Sequence, residues 1–278
     1  MNQKIGLFSK IFSGESTDAI LEEVSTHGFH HLHINWGILG HSPLPDFIPE
    51  EEVAALQKSL SEKNMKVASL SCTYNMTHPD EDIRIAGRKG VEATARVAHL
   101  LGNPLLSLCT GTLNPNDKWA YHPGNDSPKA WEAFCGELDI LLELAERYDV
   151  RLGIEPEYAN VIYHTEKAVR LLAAYEGAPL RIIFDLANLV PSGTSDEASE
   201  VIYTDILMLF PYTEIVHVKD RTSDGIPTVP GKGFLPLADY VKRWQALDFQ
   251  GTYIFHGFEK EALSDLKKWI PNHFQLKN

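Results

Sequence analysis

Short apolar runs alternate with longer stretches of helical period from one end of the chain to the other. Lys4-Ile-Gly-Leu-Phe8, His30-His-Leu-His-Ile34, Lys66–Ser71, Leu105-Leu-Ser-Leu-Cys109, Leu152-Gly-Ile-Glu155, Arg181-Ile-Ile-Phe-Asp185, Glu214–Val218 and Gly251–Phe255 read as strands. Their continuous apolar character, as in Leu152-Gly-Ile154, is that of parallel strands buried on both faces. Between them the periodicity predicts helices over Thr17–Ser25, Glu50–Glu62, Glu81–Leu101, Pro128–Tyr148, Thr165–Tyr175, Ser195–Phe210, Leu237–Leu247 and Lys260–Trp269. Ser16 or Thr17 and the Ser127-Pro128 pair supply N-terminal caps, while Gly28 and Gly102 stop helices. Eight β–α alternations without a break in composition predict one α/β domain over residues 1–278, a single (β/α)8 TIM barrel. Its 278 residues suit a fold that typically needs ~250. A doubly wound sheet would call for an early Gly-rich phosphate turn, which is missing.

Chemistry in such a barrel sits at the C-terminal ends of the strands. Four consecutive runs end there on polar residues, Glu155, Asp185, His217 and His256, at gaps of 30, 32 and 39 residues. Those gaps are close to the roughly 30 residues of one βα unit, so the four side chains project from neighbouring strands into one mouth. Polar residues also end strands merely for solvation, and spacing alone leaves both readings standing. As a donor set, two carboxylates and two imidazoles are hard to borderline, suited to one divalent cation such as Mn²⁺, Mg²⁺, Co²⁺ or Zn²⁺.

Charge and composition narrow the rest. A formal net charge of -13 disfavours nucleic acid, which needs clustered cations. No apolar run approaches the ~20 residues of a membrane span, and the N-terminus runs straight into strand-like sequence without a signal-peptide core. Cys72, Cys109 and Cys135 have no metal-like spacing, which fits small buried hydrophobes in a reducing, cytoplasmic setting.

Glu155-Pro-Glu157, Phe184-Asp-Leu-Ala-Asn188, His217-Val-Lys-Asp220 and Val229-Pro-Gly-Lys-Gly233 resemble the motifs of the xylose isomerase-like TIM-barrel superfamily, in its sugar phosphate isomerase/epimerase branch. Thr73-Tyr-Asn-Met-Thr-His-Pro-Asp80 and Leu108-Cys-Thr-Gly-Thr112 add to the likeness, which covers nearly the whole chain. The resemblance implies one divalent cation held by Glu155, Asp185 and His217, with a glutamate on the last strand as fourth ligand. Counting five residues on from Gly251, that position here is His256, with Glu259 as the alternative if the strand runs longer. Related ketose 3-epimerases use both strand-end glutamates to bind metal and to exchange a substrate proton from opposite faces, and His256 removes one of those carboxylates. A neutral imidazole can serve as ligand or as proton carrier.

The implied activity is isomerisation or epimerisation of a sugar or sugar derivative, by proton transfer next to a carbonyl through a metal-stabilised enediolate. Glu155, His256 and Lys219 are the candidate catalytic residues. A lyase or dehydratase of a keto-polyol or keto-glycoside shares the same first step, and a non-catalytic sugar-binding relative is the reading of another class. A small-molecule carbohydrate is the expected partner, and a homo-oligomer is left open.

Other residues carry two readings each. Glu157, two positions from Glu155, shares its face on an extended chain or pairs at the surface. Asn188 bonds a substrate hydroxyl or caps a helix. Lys219 neutralises developing charge or pairs with Asp220. His33, His78 and His122 contact substrate or brace strands and loops. Tyr74, Trp119 and Trp36 wall a sugar pocket or cover the core. Gly231-Lys-Gly233 lacks a full phosphate-loop pattern and reads as a tight turn, with Lys232 as an anion contact.

Overall fold

Side chains on a strand point alternately to its two faces, and this alternation decides what meets inside the barrel. In the computed structural model, which describes residues 3–274, parallel strands β1 (Lys4–Phe8), β2 (His31–Ile34), β3 (Lys66–Ser71), β4 (Leu105–Cys109), β5 (Leu152–Glu155), β6 (Leu180–Asp185), β7 (Thr213–Val218) and β10 (Thr252–Phe255) form a barrel. It closes in the order β1-β10-β7-β6-β5-β4-β3-β2. Phe8, Leu105, Ile183, Ile215 and Ile254 make a separate apolar plug inside it, with Ala68 against them. Their strand neighbours Leu7, Leu106, Phe184, Val216 and Phe255 belong instead to the larger core under the helices. Two positions beyond Ile183, Ile215 and Ile254 stand Asp185, His217 and His256, and two beyond Gly153 stands Glu155. One inward face therefore carries the apolar plug below and the polar strand ends above. Gly153 is small for a reason: a Cβ there would lie 2.6 Å from Leu105 Cδ2, inside the plug.

The helices follow the expected order, each packed on the barrel by its apolar face. They are α1 (Thr17–Thr26), α2 (Glu50–Glu62), α3 (Glu81–Ala98), α4 (Pro128–Tyr148), α5 (Thr165–Ala174), α7 (Ser195–Leu209), α8 (Leu237–Ala246) and α9 (Leu263–Trp269). Ser16 Oγ accepts from Ala19 N at 3.3 Å and Ser127 Oγ from Ala130 N at 3.2 Å, so both expected caps form. The last turn before Gly102 tightens into a 3-10 helix over His99–Leu101, and the final helix begins as one over Lys260–Ala262. Among the described residues, no helix is long and apolar enough to cross a membrane.

Two small elements lie outside the periodic pattern. One is α6 (Leu186–Leu189), which starts directly on Asp185. The other is an antiparallel hairpin of β8 (Asp220–Arg221) and β9 (Pro227–Thr228) just past β7. The hairpin and the following turn wrap around one carboxylate. Asp220 Oδ2 accepts from Gly231 N and Gly233 N, both at 2.9 Å, and Oδ1 from Arg221 N at 2.9 Å and Leu235 N at 3.3 Å. The Gly231–Gly233 turn thus holds an anion that the chain itself supplies, while Lys232 is exposed. No Cβ fits at Gly233, where it would lie 2.2 Å from the Arg221 carbonyl oxygen.

Replacing Asp220 removes the acceptor for four backbone amides at a spot closed to solvent. Asp220→Ala is expected to lower stability by about 2–4 kcal/mol and Asp220→Asn by less, since the amide oxygen keeps part of the cradle. Urea denaturation of the two variants beside the parent checks this, and equal stability of Asp220→Ala and the parent would refute it.

Candidate metal centre

Asp185 and His217 are the most enclosed of the four strand-end residues, each only 1% exposed, and Asp185 holds the centre. Asp185 Oδ1 accepts from Ala187 N at 2.9 Å, capping α6. Around Oδ2 stand His256 Nε2 at 3.3 Å, His217 Nδ1 at 3.7 Å and Lys219 Nζ at 3.7 Å. His217 Nδ1 also reaches Glu155 Oε1 at 3.1 Å. One donor atom from each of Glu155, Asp185, His217 and His256 lies within 4.8 Å of the others. Barrel register brings this about: Asp185 sits beside His217 across β6 and β7, and His256 follows the Phe255–Val218 pair of β10 and β7.

Asp185 Oδ2, His217 Nε2 and His256 Nε2 are buried, yet among the described residues none has a hydrogen-bond partner. The 3.3 Å approach of His256 to Asp185 lacks hydrogen-bond alignment. Buried polar atoms are nearly always satisfied, so three orphans in one cluster call for a common partner. Two oxygens and two nitrogens fit one divalent cation of borderline hardness. Glu259, the alternative to His256, is exposed at the start of the last 3-10 turn.

The electrostatics are sharply divided. Burial works to raise the Asp185 pKa, but Lys219 and the rings of His217 and His256 hold its carboxyl well below the usual range. For His217 burial favours the neutral ring, yet Glu155 and Asp185 outweigh it and raise the pKa to about 9. His256 goes the other way, lowered to about 4 by burial and by the charge on His217. Without a cation, then, one ring carries the proton and the other is neutral.

A family model, Xylose isomerase-like TIM barrel, matches residues 21–273. The chain belongs to that family. A search of the curated proteins found no match. Among solved structures, 3-keto-D-glucoside 4-epimerase YcjR from E. coli superposes with a TM-score of 0.75 at 16% identity, covering 98% of this chain and 100% of that one. The probable 3-DHS dehydratase AsbF from Bacillus anthracis gives 0.74 at 13% identity, with 96% and 97% covered. D-Allulose 3-epimerase from Methylomonas sp. gives 0.69 at 18% identity, with 94% and 86% covered. At these identities the likeness is one of fold.

Asn188 lies within α6, which Asp185 caps, and its side chain bonds into the site instead. Its Nδ2 donates to Glu155 Oε1 at 2.7 Å and its Oδ1 accepts from Lys219 Nζ at 2.7 Å, tying the acid to the lysine. Lys219 is thereby turned towards Asn188 and Asp185, and Asp220 is held by its backbone cradle instead. Glu157 is buried at 7% exposure rather than paired at the surface, and burial raises its pKa to about 8 against the opposing charge of Lys219.

Several loop residues serve the scaffold. Tyr74 turns away to donate to Glu137 Oε1 at 2.6 Å, on the buried carboxylate that Arg88 also grips. Trp36 is fully buried and donates to Thr94 Oγ1 at 3.0 Å. Both ring nitrogens of His78 are engaged by backbone, Nδ1 accepting from Asp80 N and Nε2 meeting the Pro115 carbonyl, each at 3.0 Å. His122 Nδ1 accepts from Gly124 N at 3.0 Å. Trp119 is 46% exposed, with Lys118 Nζ 5.3 Å from its ring. Cys72 and Cys109 are buried thiols, each pushed up to about 12 by burial. His33 stacks on Phe8 at 3.9 Å and lies 5.7 Å from the His217 ring, forming the wall behind the cluster.

Lys10 and Lys118 join the site without a motif to mark them. Lys10 Nζ stands over the Phe8 ring, whose edge meets His256, and burial and the charges of Lys219 and Lys118 lower its pKa while Glu155 raises it. A lysine two positions beyond a strand end is the one signal the sequence offers, and nothing in the local pattern says which way it turns.

A cation must displace the His217 proton. Because the His217 pKa of about 9 lies above neutrality, apparent Mn²⁺ affinity is expected to rise roughly tenfold per pH unit between pH 6 and 8 and to level off above the pKa. Calorimetry in buffers of different ionisation enthalpy reads the released proton directly, and a pH-independent affinity contradicts the assignment. His256→Ala should weaken Mn²⁺ by at least the roughly 10–100-fold that loss of an outer-shell partner costs, whereas Glu259→Ala should leave it unchanged.

Proposed function

We propose that the protein is a divalent-metal-dependent isomerase or epimerase of a sugar or sugar derivative, moving a proton next to a carbonyl by way of an enediolate. The observation that carries this reading is the convergence of Glu155, Asp185, His217 and His256 on three orphaned buried atoms at the mouth of the barrel. The fold likeness to YcjR and to D-allulose 3-epimerase agrees with it. Glu155, Asp185, His217 and His256 are the residues that would hold the cation, whose chemistry when bound is to stabilise negative charge on adjacent substrate oxygens.

Glu155 is the proton carrier in this reading. Its side chain keeps 20% of its surface exposed to the mouth, and only Oε1 is taken up, by Asn188 and His217. Those two bonds fix the carboxylate's orientation and leave Oε2 for the substrate proton. His256 stands on the far side of the cluster, with β6 and β7 between β5 and β10. A neutral ring has no acidic proton to give, so in the place where a second carboxylate is expected from the resemblance His256 would serve as a ligand, and Glu155 both takes up the proton and gives it back. Lys219, held by Asn188, keeps a positive charge beside the oxygens on which negative charge develops. Glu157 and Asn188 complete the substrate side of the mouth, with Trp119 at its open edge.

The replaced carboxylate favours a second reading, a lyase or dehydratase that expels a leaving group after the same proton abstraction, and the fold likeness to AsbF agrees with that. Incubating the Mn²⁺-loaded protein with keto sugars in D₂O separates the two. Deuterium in the recovered or epimerised sugar supports the first, and loss of water or aglycone the second. Glu155→Gln is expected to slow exchange by about 10²–10⁴-fold. No exchange and no elimination with any keto sugar sinks both readings and leaves a non-catalytic sugar binder.

A further inference from the structure

The segment between β2 and α2 holds a phenylalanine in solvent although its own flanks are fastened. His41 Nε2 meets Glu52 Oε2 on α2 at 2.7 Å, and Leu44 packs where α3 lacks a side chain, since a Cβ at Gly90 would lie 2.5 Å from Leu44 Cγ. Ile48 is buried in the core. Between these anchors Phe47 is 66% exposed, more than any other large apolar side chain among the described residues.

That ring does not stand alone. It borders a groove of about 820 Å³ between the loop and α3, lined by Leu44, Pro45 and Phe47 on one side and by Asp82, Ile85 and Lys89 on the other. A smaller concavity of about 290 Å³, also lined by Phe47, reaches Ala93 and Arg96. None of these residues belongs to the strand-end cluster. Asp82, Ile85, Ala86 and Lys89 recur at helical spacing, so one face of α3 runs from an acid through an exposed apolar patch to a base. Arg84 and Arg88 on the same helix turn to Glu137, whereas among the described residues neither Asp82 nor Lys89 forms an ion pair.

We propose that this face docks a second copy of the chain, in a twofold pair whose α3 helices lie antiparallel. A twofold contact joins a patch to itself, so the patch must carry both members of every contact. This one carries an exposed ring with a groove beside it, and an unpaired acid with an unpaired base. Seven residues separate Asp82 from Lys89. An axis between Ile85 and Ala86 therefore sets each Asp82 opposite Lys89 of the second copy, brings the two Ile85 side chains together and leads each Phe47 into the other groove. An axis through Lys89 would set lysine against lysine. Antiparallel helices also bring opposite ends of their dipoles together. An unrelated peptide would use only half of this complementarity, which favours a second copy as the occupant. The pairing is independent of the chemistry at the mouth.

Sedimentation equilibrium of the full chain over a range of concentrations tests this, with Phe47→Ser, Asp82→Lys, Lys89→Asp and the double exchange Asp82→Lys, Lys89→Asp beside the parent. The parent is expected to sediment at twice the chain mass. Phe47→Ser should weaken the pair by roughly tenfold or more, as loss of a buried aromatic anchor does. Each single charge reversal sets like charges face to face and should weaken it by about tenfold or more. The double exchange should regain most of that loss, because each new pair again joins opposite charges. The circular dichroism of the variants confirms that they fold. A parent that stays monomeric at every concentration, a pair as tight in Phe47→Ser as in the parent, or a double exchange no tighter than its single members overturns the proposal.

Discussion

The buried carboxylate of Asp185 is the constraint around which the mouth is built. A charge with 1% exposure is tolerated in a protein interior only when partners surround it. Lys219 and the rings of His217 and His256 do so from β7 and from just past β10, while the first turn of α6 occupies the other oxygen. None of these partners satisfies Oδ2 with a good hydrogen bond. Asp185 is thus charged and crowded by donors but left one partner short. Asn188 extends the same logic outward, because the residue that ties Glu155 to Lys219 also belongs to the short helix that Asp185 caps.

Strand periodicity makes this site legible in the amino-acid sequence. Period two fixes which face a side chain takes once a single inward residue is known, so Ile183 and Asp185, Ile215 and His217, Ile254 and His256 rise as pairs of plug residue and candidate ligand. The barrel itself follows from the same alternation, and its helix caps from Ser16 and Ser127. Loop residues are harder because their direction is set by contacts distant in sequence. Tyr74 turns to Glu137, 63 residues on, and Trp36 to Thr94, 58 residues on. No local pattern announces such partners. The Gly231–Gly233 segment reads as a tight turn, but the anion its amides hold, Asp220, is supplied eleven residues earlier in the chain and no local pattern announces it.

Two buried carboxylates are among the points that join scaffold and site. Glu137, 2% exposed, takes both Tyr74 and Arg88, and so clamps the loop after β3 to α3 and α4. Asp220 fixes the segment after Lys219. With these two fastened, the segments that carry Tyr74 and Lys219 can be polar and open without being loose. Rigid support under a solvent-facing site is what binding or catalysis at a barrel mouth requires.

His256 changes the charge of the mouth from the one the resemblance implies. A glutamate at the end of β10 would bring a third carboxylate beside Glu155 and Asp185, and histidine leaves two. Against burial, those two carboxylates raise the His217 pKa to about 9, while burial and the charge on His217 lower that of His256 to about 4, so the two rings differ in character although they stand side by side. A carboxylate in the place of His256 would set a second negative group against Asp185 Oδ2, where His256 Nε2 now stands at 3.3 Å, and the histidine thereby helps Asp185 to stay charged while buried.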